Sequence, residues 1–324
     1  FVGSVDNVSI VEDLSGDFDF TRNSSATRVN AQGLVEDVQI LSSNLVQNGD
    51  FSQIGSEEVT NGNFSQIGSE EITNGNFSQE GSQLITNGDF ATDSDWVKTG
   101  SIEIANGQAI ATNASTEYLY QSTSLVVGKF YKITFTVSDY ISGIVRSGLN
   151  DGLNNSGANR NANGTYTDYI KFTGGNTFVG VLFTNNASMS IDNVSCVEVG
   201  QDWTLGTGWS IGDDKAICDG TGNVAIFQAN NFIDGKSYKI TFDILDYTSG
   251  ELICRFNSNE TNTFNSVGSH TLYFTSDNSF DYVYFKSQSN FNGSIKNISV
   301  KEVGQGWTLG TGWSIGDDKA IIDG

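Results

Sequence analysis

The chain has no proline, one histidine, one methionine and three cysteines, and its 16 lysines and arginines face 38 aspartates and glutamates, a formal net charge of −22. Without proline, collagen and polyproline stalks are excluded. With so few basic side chains, binding to a nucleic-acid backbone is excluded, because neutralising phosphates takes Lys and Arg. An anionic membrane surface is excluded for the same reason. No apolar run approaches the ~18 residues that a membrane-spanning helix needs, so no membrane insertion is expected. There is no initiator Met, basic leader or signal-peptide core. A single His cannot supply a Ser-His-Asp or Cys-His site in each of several modules, and His270 reads as a solvent-side strand residue. The HExxH, CxxC and GxxxxGK[ST] patterns are missing as well. A glycosidase needs only two carboxylates ~5–9.5 Å apart. Here Glu57, Glu58, Glu70 and Glu71 recur in a repeated charged strand rather than in one cleft, so the chain reads as not an enzyme. The cysteines do not form an even disulfide framework. In an internal alignment Cys196 takes the slot of Val300, Cys218 that of Ile322 and Cys254 that of Val145, so all three read as buried free thiols.

What the sequence has in plenty is glycine, 37 of 324 residues, and repetition on two scales. GQDWTLGTGWSIGDDKAICDG at 200–220 returns as GQGWTLGTGWSIGDDKAIIDG at 304–324, a period of 104 residues. GKFYKITFTVSDYISG at 128–143 matches GKSYKITFDILDYTSG at 235–250, and SIDNVSCVEVG at 190–200 matches SIKNISVKEVG at 294–304. These matches define one module at 87–199, a second at 200–303 and the start of a third at 304–324. Residues 1–14 resemble a closing strand and read as the end of a preceding module, so the chain reads as an excerpt from a longer array. Asn-Gly-Asp-Phe or Asn-Gly-Asn-Phe stands at 48–51, 61–64, 74–77 and 87–90, spaced by 13. That repeat marks 48–86 as a separate segment, with 15–47 between it and residues 1–14.

The modules alternate with period 2. Tyr131, Ile133, Phe135 and Val137 interleave with Lys132, Thr134, Thr136 and Ser138, and Tyr238, Ile240, Phe242 and Ile244 repeat the pattern. Such alternation puts one face in a core and the other in water. Turn signals separate the strands and no helical stripe is present. The expected fold is all-β: tandem jelly-roll β-sandwich modules preceded by a short-repeat β-hairpin stalk. Asn-Gly is a strong hairpin signal, so each 13-residue unit is expected to form a hairpin across it. One unit has too few apolar residues for a core, which leads to the expectation of a homotrimeric stalk.

Two resemblances carry the functional expectation. FTRNSSATRVNAQGLVEDV at 20–38, with Phe20, Thr21, Arg22, Ala26, Thr27, Arg28, Val29, Asn30, Gly33 and Leu34, resembles a segment of virion and tail structural proteins of tailed bacteriophages. In that family a Pro-containing stretch commonly follows, and this chain lacks it. The order NGDF, Trp, GKFYKITFTV, SIDNVSCVEV across 87–303 resembles carbohydrate-binding jelly-roll modules, which occur on glycoside hydrolases, phage fibres and bacterial surface proteins. The second resemblance implies a structural Ca²⁺ in the first module, held by Asn87, Asp89 and Asp192; in the second module Lys296 stands in place of Asp192 and removes the site. It also implies exposed aromatic platforms for sugars, for which Trp96, Trp203, Tyr140 and Tyr247 are candidates. Trp203 and Trp209 recur as Trp307 and Trp313, which suits core packing as well as binding, and Trp209, two residues before Ile211, reads as core. Together these imply a structural virion protein, a phage fibre, tail or head decoration, on the virion surface, with other virion proteins and neutral cell-surface glycans as partners. The alternative is a secreted or cell-surface bacterial carbohydrate-binding array or adhesin.

Overall fold

The protein is described here from a computed structural model covering residues 3–6, 9, 11–13, 27–37, 54–256, 262–277 and 281–322. Among these residues everything regular is β-strand apart from one 3-10 turn, Asp151–Leu153. The chain forms two compact units, Ile67–Val303 and Phe1–Gln66 with Gly304–Gly324.

Ile67–Val303 contains two sheets built on one plan. In the first, Phe130–Leu149 pairs antiparallel with Phe178–Val199 along its whole length, from Ile133↔Cys196 to Val145↔Phe183. Strands this long cannot stay in one layer. The register breaks between Ser138 and Ile144, and Asp139, Gly143, Asn185 and Asn186 all take positive φ there. A Cβ on Gly143 would collide with the backbone of Ala187, so the corner needs glycine. Beyond the bend the strands fold back over their own first halves. Ile133, Phe135 and Val137 then share one buried core with Val145, Leu149, Val179, Phe183, Ile191 and Cys196. The result is a two-layered β-sandwich whose layers are halves of the same strands.

The second sandwich repeats this with Ser237–Arg255 and Tyr282–Val303, and with Gly250 at the corner against the backbone of Phe291. Ile240↔Val300 and Cys254↔Phe285 equate Cys196 with Val300 and Cys254 with Val145. Trp209↔Cys218 likewise matches Trp313↔Ile322. All three thiols are buried and free. Tyr131 and Tyr238 sit at equivalent places, their hydroxyls accepting the N–H groups of Val126 and Ile233 at 2.8 and 3.0 Å.

The 13-residue repeats depart from the expected hairpin stalk. Ile54–Glu57 and Ile67–Glu70, which flank Asn61-Gly62, do not pair with each other; the first pairs with Val11–Asp13 and the second with Tyr282–Val303. The Asn-Gly turn is made, with Phe64 N–H donating to Asn61 O, but Phe64 then turns into a core instead of starting a return strand. Phe64, Phe77 and Phe90 are all buried within this one chain, so covering them takes no second chain.

In the other unit, Gly3–Val5 pairs with Lys319–Ile322, which pairs with Trp313–Gly316. Val5↔Ala320 reproduces Ile295↔Ala216 of the second sandwich, and Val11↔Glu57 reproduces Lys301↔Glu70. Segments 1–14 and 304–324, read from the sequence as parts of two different modules, therefore share one sheet, because their pairing edges are those that meet inside a complete module. Within the 20–38 motif, Thr27–Val29 and Val35–Asp37 form a hairpin. Asn30 closes it by accepting the N–H groups of Gln32 and Leu34, each at 3.0 Å, and Gly33 takes φ 78°. Phe20, Thr21, Arg22 and Ala26 lie outside the described residues.

Candidate ligand-binding faces

The sequence-predicted platforms are largely internal. Trp96 and Trp203 are 8% and 2% exposed. Their indole N–H groups donate to Asn87 O and Asn74 O at 2.9 and 3.0 Å. Neither offers a ring face to a sugar, because each closes a sheet edge over a buried Phe. Tyr140 and Tyr247 are half-buried, and each hydroxyl donates to the carbonyl of the corner glycine three residues on, Gly143 at 3.2 Å and Gly250 at 3.0 Å. They staple the strand bends. Trp209 is buried, as expected, with its N–H on Val224 O.

The residues carried over for Ca²⁺ do not fit that ion. Asn87 donates to Thr92 O and Ser94 O, and its side-chain oxygen accepts the N–H of Thr92. Asn74 and Asn61 make the matching contacts with Gln201 O and Gln305 O, although the sandwich around Asn74 carries Lys296 where the first carries Asp192. The Asn side chain thus holds a turn without help from a cation. Asp89 and Asp192 each accept a nearby main-chain N–H, from Ala91 and Asn193. Among the described residues no three His, Cys, Asp or Glu side chains gather as a metal site, whereas Ca²⁺ takes six to eight oxygens.

A different set of aromatics does face outward. On Gln108–Ser122, Tyr118 and Tyr120 alternate with buried Leu119 and Gln121. Phe178, opening the neighbouring strand, packs on Tyr120 with ring centroids 4.6 Å apart. With Thr99, Asn150 and Leu153 these rings line a cleft of about 190 Å³. Asn150, at φ 66°, builds the cleft wall: its oxygen accepts Asn154 N–H at 3.0 Å and its amide donates to Gly174 O at 3.2 Å. The second sandwich has the same feature. Phe227 alternates with buried Ile226 and Gln228 and lies 5.3 Å from Tyr282 and 6.3 Å from Tyr284. Val97↔Tyr120 and Thr204↔Phe227 put the two clusters at one address in the fold. Sequence reasoning missed them. The signal was there as paired aromatics two apart, Tyr118 with Tyr120 and Tyr282 with Tyr284, interleaved with buried residues.

Hydroxyls, amides and flat rings line the first cleft, with no carboxylate, His or Cys. Such a surface binds and orients by stacking and hydrogen bonding.

No family model matches the chain, and no curated protein does. Among solved structures it is similar to the N-terminal CBM22-1–CBM22-2 tandem domain of Xyn10C from Paenibacillus barcinonensis. The TM-score is 0.30 at 10% identity, covering 69% of this chain and 99% of that one. It is also similar to allantoicase from Saccharomyces cerevisiae, with a TM-score of 0.25 at 9% identity, covering 74% and 91%.

Proposed function

We propose that this protein is a non-catalytic, multi-module surface protein whose β-sandwiches bind neutral glycans weakly through their outward aromatic clusters. The observation that carries the reading is the recurrence of one aromatic cluster, Tyr118, Tyr120 and Phe178 in the first sandwich and Phe227, Tyr282 and Tyr284 in the second. Core packing does not require it, since these rings alternate with the buried positions. The net charge of −22 repels acidic polysaccharides and favours neutral sugars. A shallow ledge with a few stacking rings binds with roughly millimolar affinity, about −4 kcal/mol. Several ledges on one particle multiply that by on the order of 10² to 10⁴. The 20–38 motif favours a virion fibre, tail or head decoration, with other virion proteins and further copies of itself as partners; a secreted bacterial array or adhesin is the alternative setting.

The test is a neutral-glycan array read with the multivalently displayed chain. Wild type is expected to bind. Tyr120→Ala with Phe227→Ala is expected to abolish binding while leaving the melting temperature within a few degrees. Absence of any wild-type signal, or binding unchanged in the double variant, overturns the ledge as the site.

A further inference from the structure

Three tetrapeptides, Asn61–Phe64, Asn74–Phe77 and Asn87–Phe90, enter three sheets in one geometry. The Asn main-chain carbonyl accepts an indole N–H from Trp307, Trp203 and Trp96 respectively, at 2.9, 3.0 and 2.9 Å. The Phe ring packs on that same Trp at 5.0, 5.2 and 5.1 Å. The Asn amide donates to the carbonyl two residues before the Trp: Gln305, Gln201 and Ser94. The Asn oxygen accepts the N–H five residues on: Gln66, Gln79 and Thr92. Asn and Phe both take positive φ in every copy.

Two of the sites show how the rest of the unit is gripped. Gly75 O and Gly88 O accept Ile298 N–H and Val194 N–H, each at 2.9 Å. A Cβ on either glycine would collide with the carbonyl of that same residue. Gln228 and Gln121 each clamp the threonine before the Asn, Thr73 or Thr86, accepting its N–H and donating to its carbonyl. Ile72 and Ile85 fill the core beneath.

Only Asn87–Phe90 is next to its Trp in sequence. Asn74 reaches Trp203 across 129 residues, and Asn61 reaches Trp307 across 246. The grip falls mostly on main-chain atoms and on side chains that the units share, so a slot cannot tell 61–64 from 74–77, which have the same sequence. We propose that each Trp slot is a peptide-binding site whose ligand is the Thr-Asn-Gly-Asn/Asp-Phe segment, and that a unit from a second copy of this chain can fill it. The sequence holds four such tetrapeptides, 48–51 included, against three Trp slots in the described sheets. One unit per chain is therefore in surplus for docking on a neighbour, the currency of domain exchange between protomers.

The test uses the full chain with one slot emptied. Gly75→Val evicts the unit at Trp203, and Phe51→Ala in the same chain disables the surplus unit. A fluorescein-labelled peptide of residues 71–83 is titrated into this variant and into wild type. The variant is expected to bind one peptide per chain at least tenfold more tightly than wild type, and a peptide with Phe77→Ala is expected to lose that binding. Mixing the variant with unlabelled wild-type chain is expected to give a two-chain complex by light scattering. Equal binding by variant and wild type, or none by a variant that keeps its β circular-dichroism signal, overturns the slot; peptide binding without the two-chain complex overturns the second copy as partner. Should Gly75→Val unfold the sheet, Phe77→Ala with Phe51→Ala replaces it. Refolding of either variant by added peptide supports the proposal, and failure to refold overturns it.

Discussion

A tryptophan that donates its indole N–H to a main-chain carbonyl inside a sheet has no face left for a sugar. Trp203→Ala is therefore expected to cost about 3–5 kcal/mol in urea unfolding, as for other large core truncations. Tyr120→Ala, at a half-exposed ring, is expected to cost under ~1 kcal/mol and to act on binding instead. Asp168 is a buried charge that must stay paired: it accepts from Ser147 Oγ and Arg160 Nη2, each at 2.6 Å. Asp168→Ala strands the Arg160 guanidinium and is expected to cost about 3 kcal/mol. The cysteines give a pH signature. Burial pushes the Cys196 thiol up to about 12 and raises Cys218 and Cys254 as well. The native state thus keeps protons that the unfolded chain releases from about pH 9. Stability is fully present below pH 9 and falls as pH rises toward 12, by about 1.4 kcal/mol per pH unit for each thiol. Urea midpoints at rising alkaline pH should show this fall, and Cys196→Val should flatten it. No thiol should react with iodoacetamide in the native state at pH 8.

At the scale of strands, alternation was the readable quantity. Tyr131, Ile133, Phe135 and Val137 turn inward as their period requires. Internal alignment placed Cys196, Cys218 and Cys254 in aliphatic slots that the registers reproduce. The corners were less legible, because a bulge is written in a few residues of ordinary composition such as Asp139-Tyr140 and Asn185-Asn186. Gly143 and Gly250 are where that geometry is enforced. Gly143→Val should cost more than ~3 kcal/mol and should raise hydrogen exchange across Phe130–Leu149, and Gly250→Val should do so across Ser237–Arg255. The binding candidates misled for a reason in the packing. Trp is the usual sugar-stacking residue, but these Trp side chains cap a neighbouring segment, while less conspicuous Tyr and Phe rings line the outer face. The Asn-Gly turns misled likewise: the local signal for a tight turn was correct, but the partner of the following strand lies more than a hundred residues away.

For the whole molecule, 22 uncompensated negative charges repel one another in the compact state. Screening shortens from ~10 Å at 0.1 M salt to ~3 Å at 1 M, so the melting temperature should rise with sodium chloride. A fall would mean that pairs such as Lys132–Glu80, at 2.7 Å, dominate instead. Because Phe77 is buried inside its own chain, Phe77→Ala should lower stability without changing the assembly mass in light scattering; a trimeric wild type that dissociates in the variant would restore the stalk. The separation between each Asn-Gly-x-Phe unit and its Trp also sets a clock. At ~5–20 residues per second of synthesis, Asn74 waits roughly 6–26 s for Trp203, and Asn61 roughly 12–50 s for Trp307. The units are made in the order 61, 74, 87 but are used in the order 87, 74, 61. On the ribosome the earliest apolar segments are thus the last to be covered, and it is there that a nascent chain of this protein most needs a chaperone.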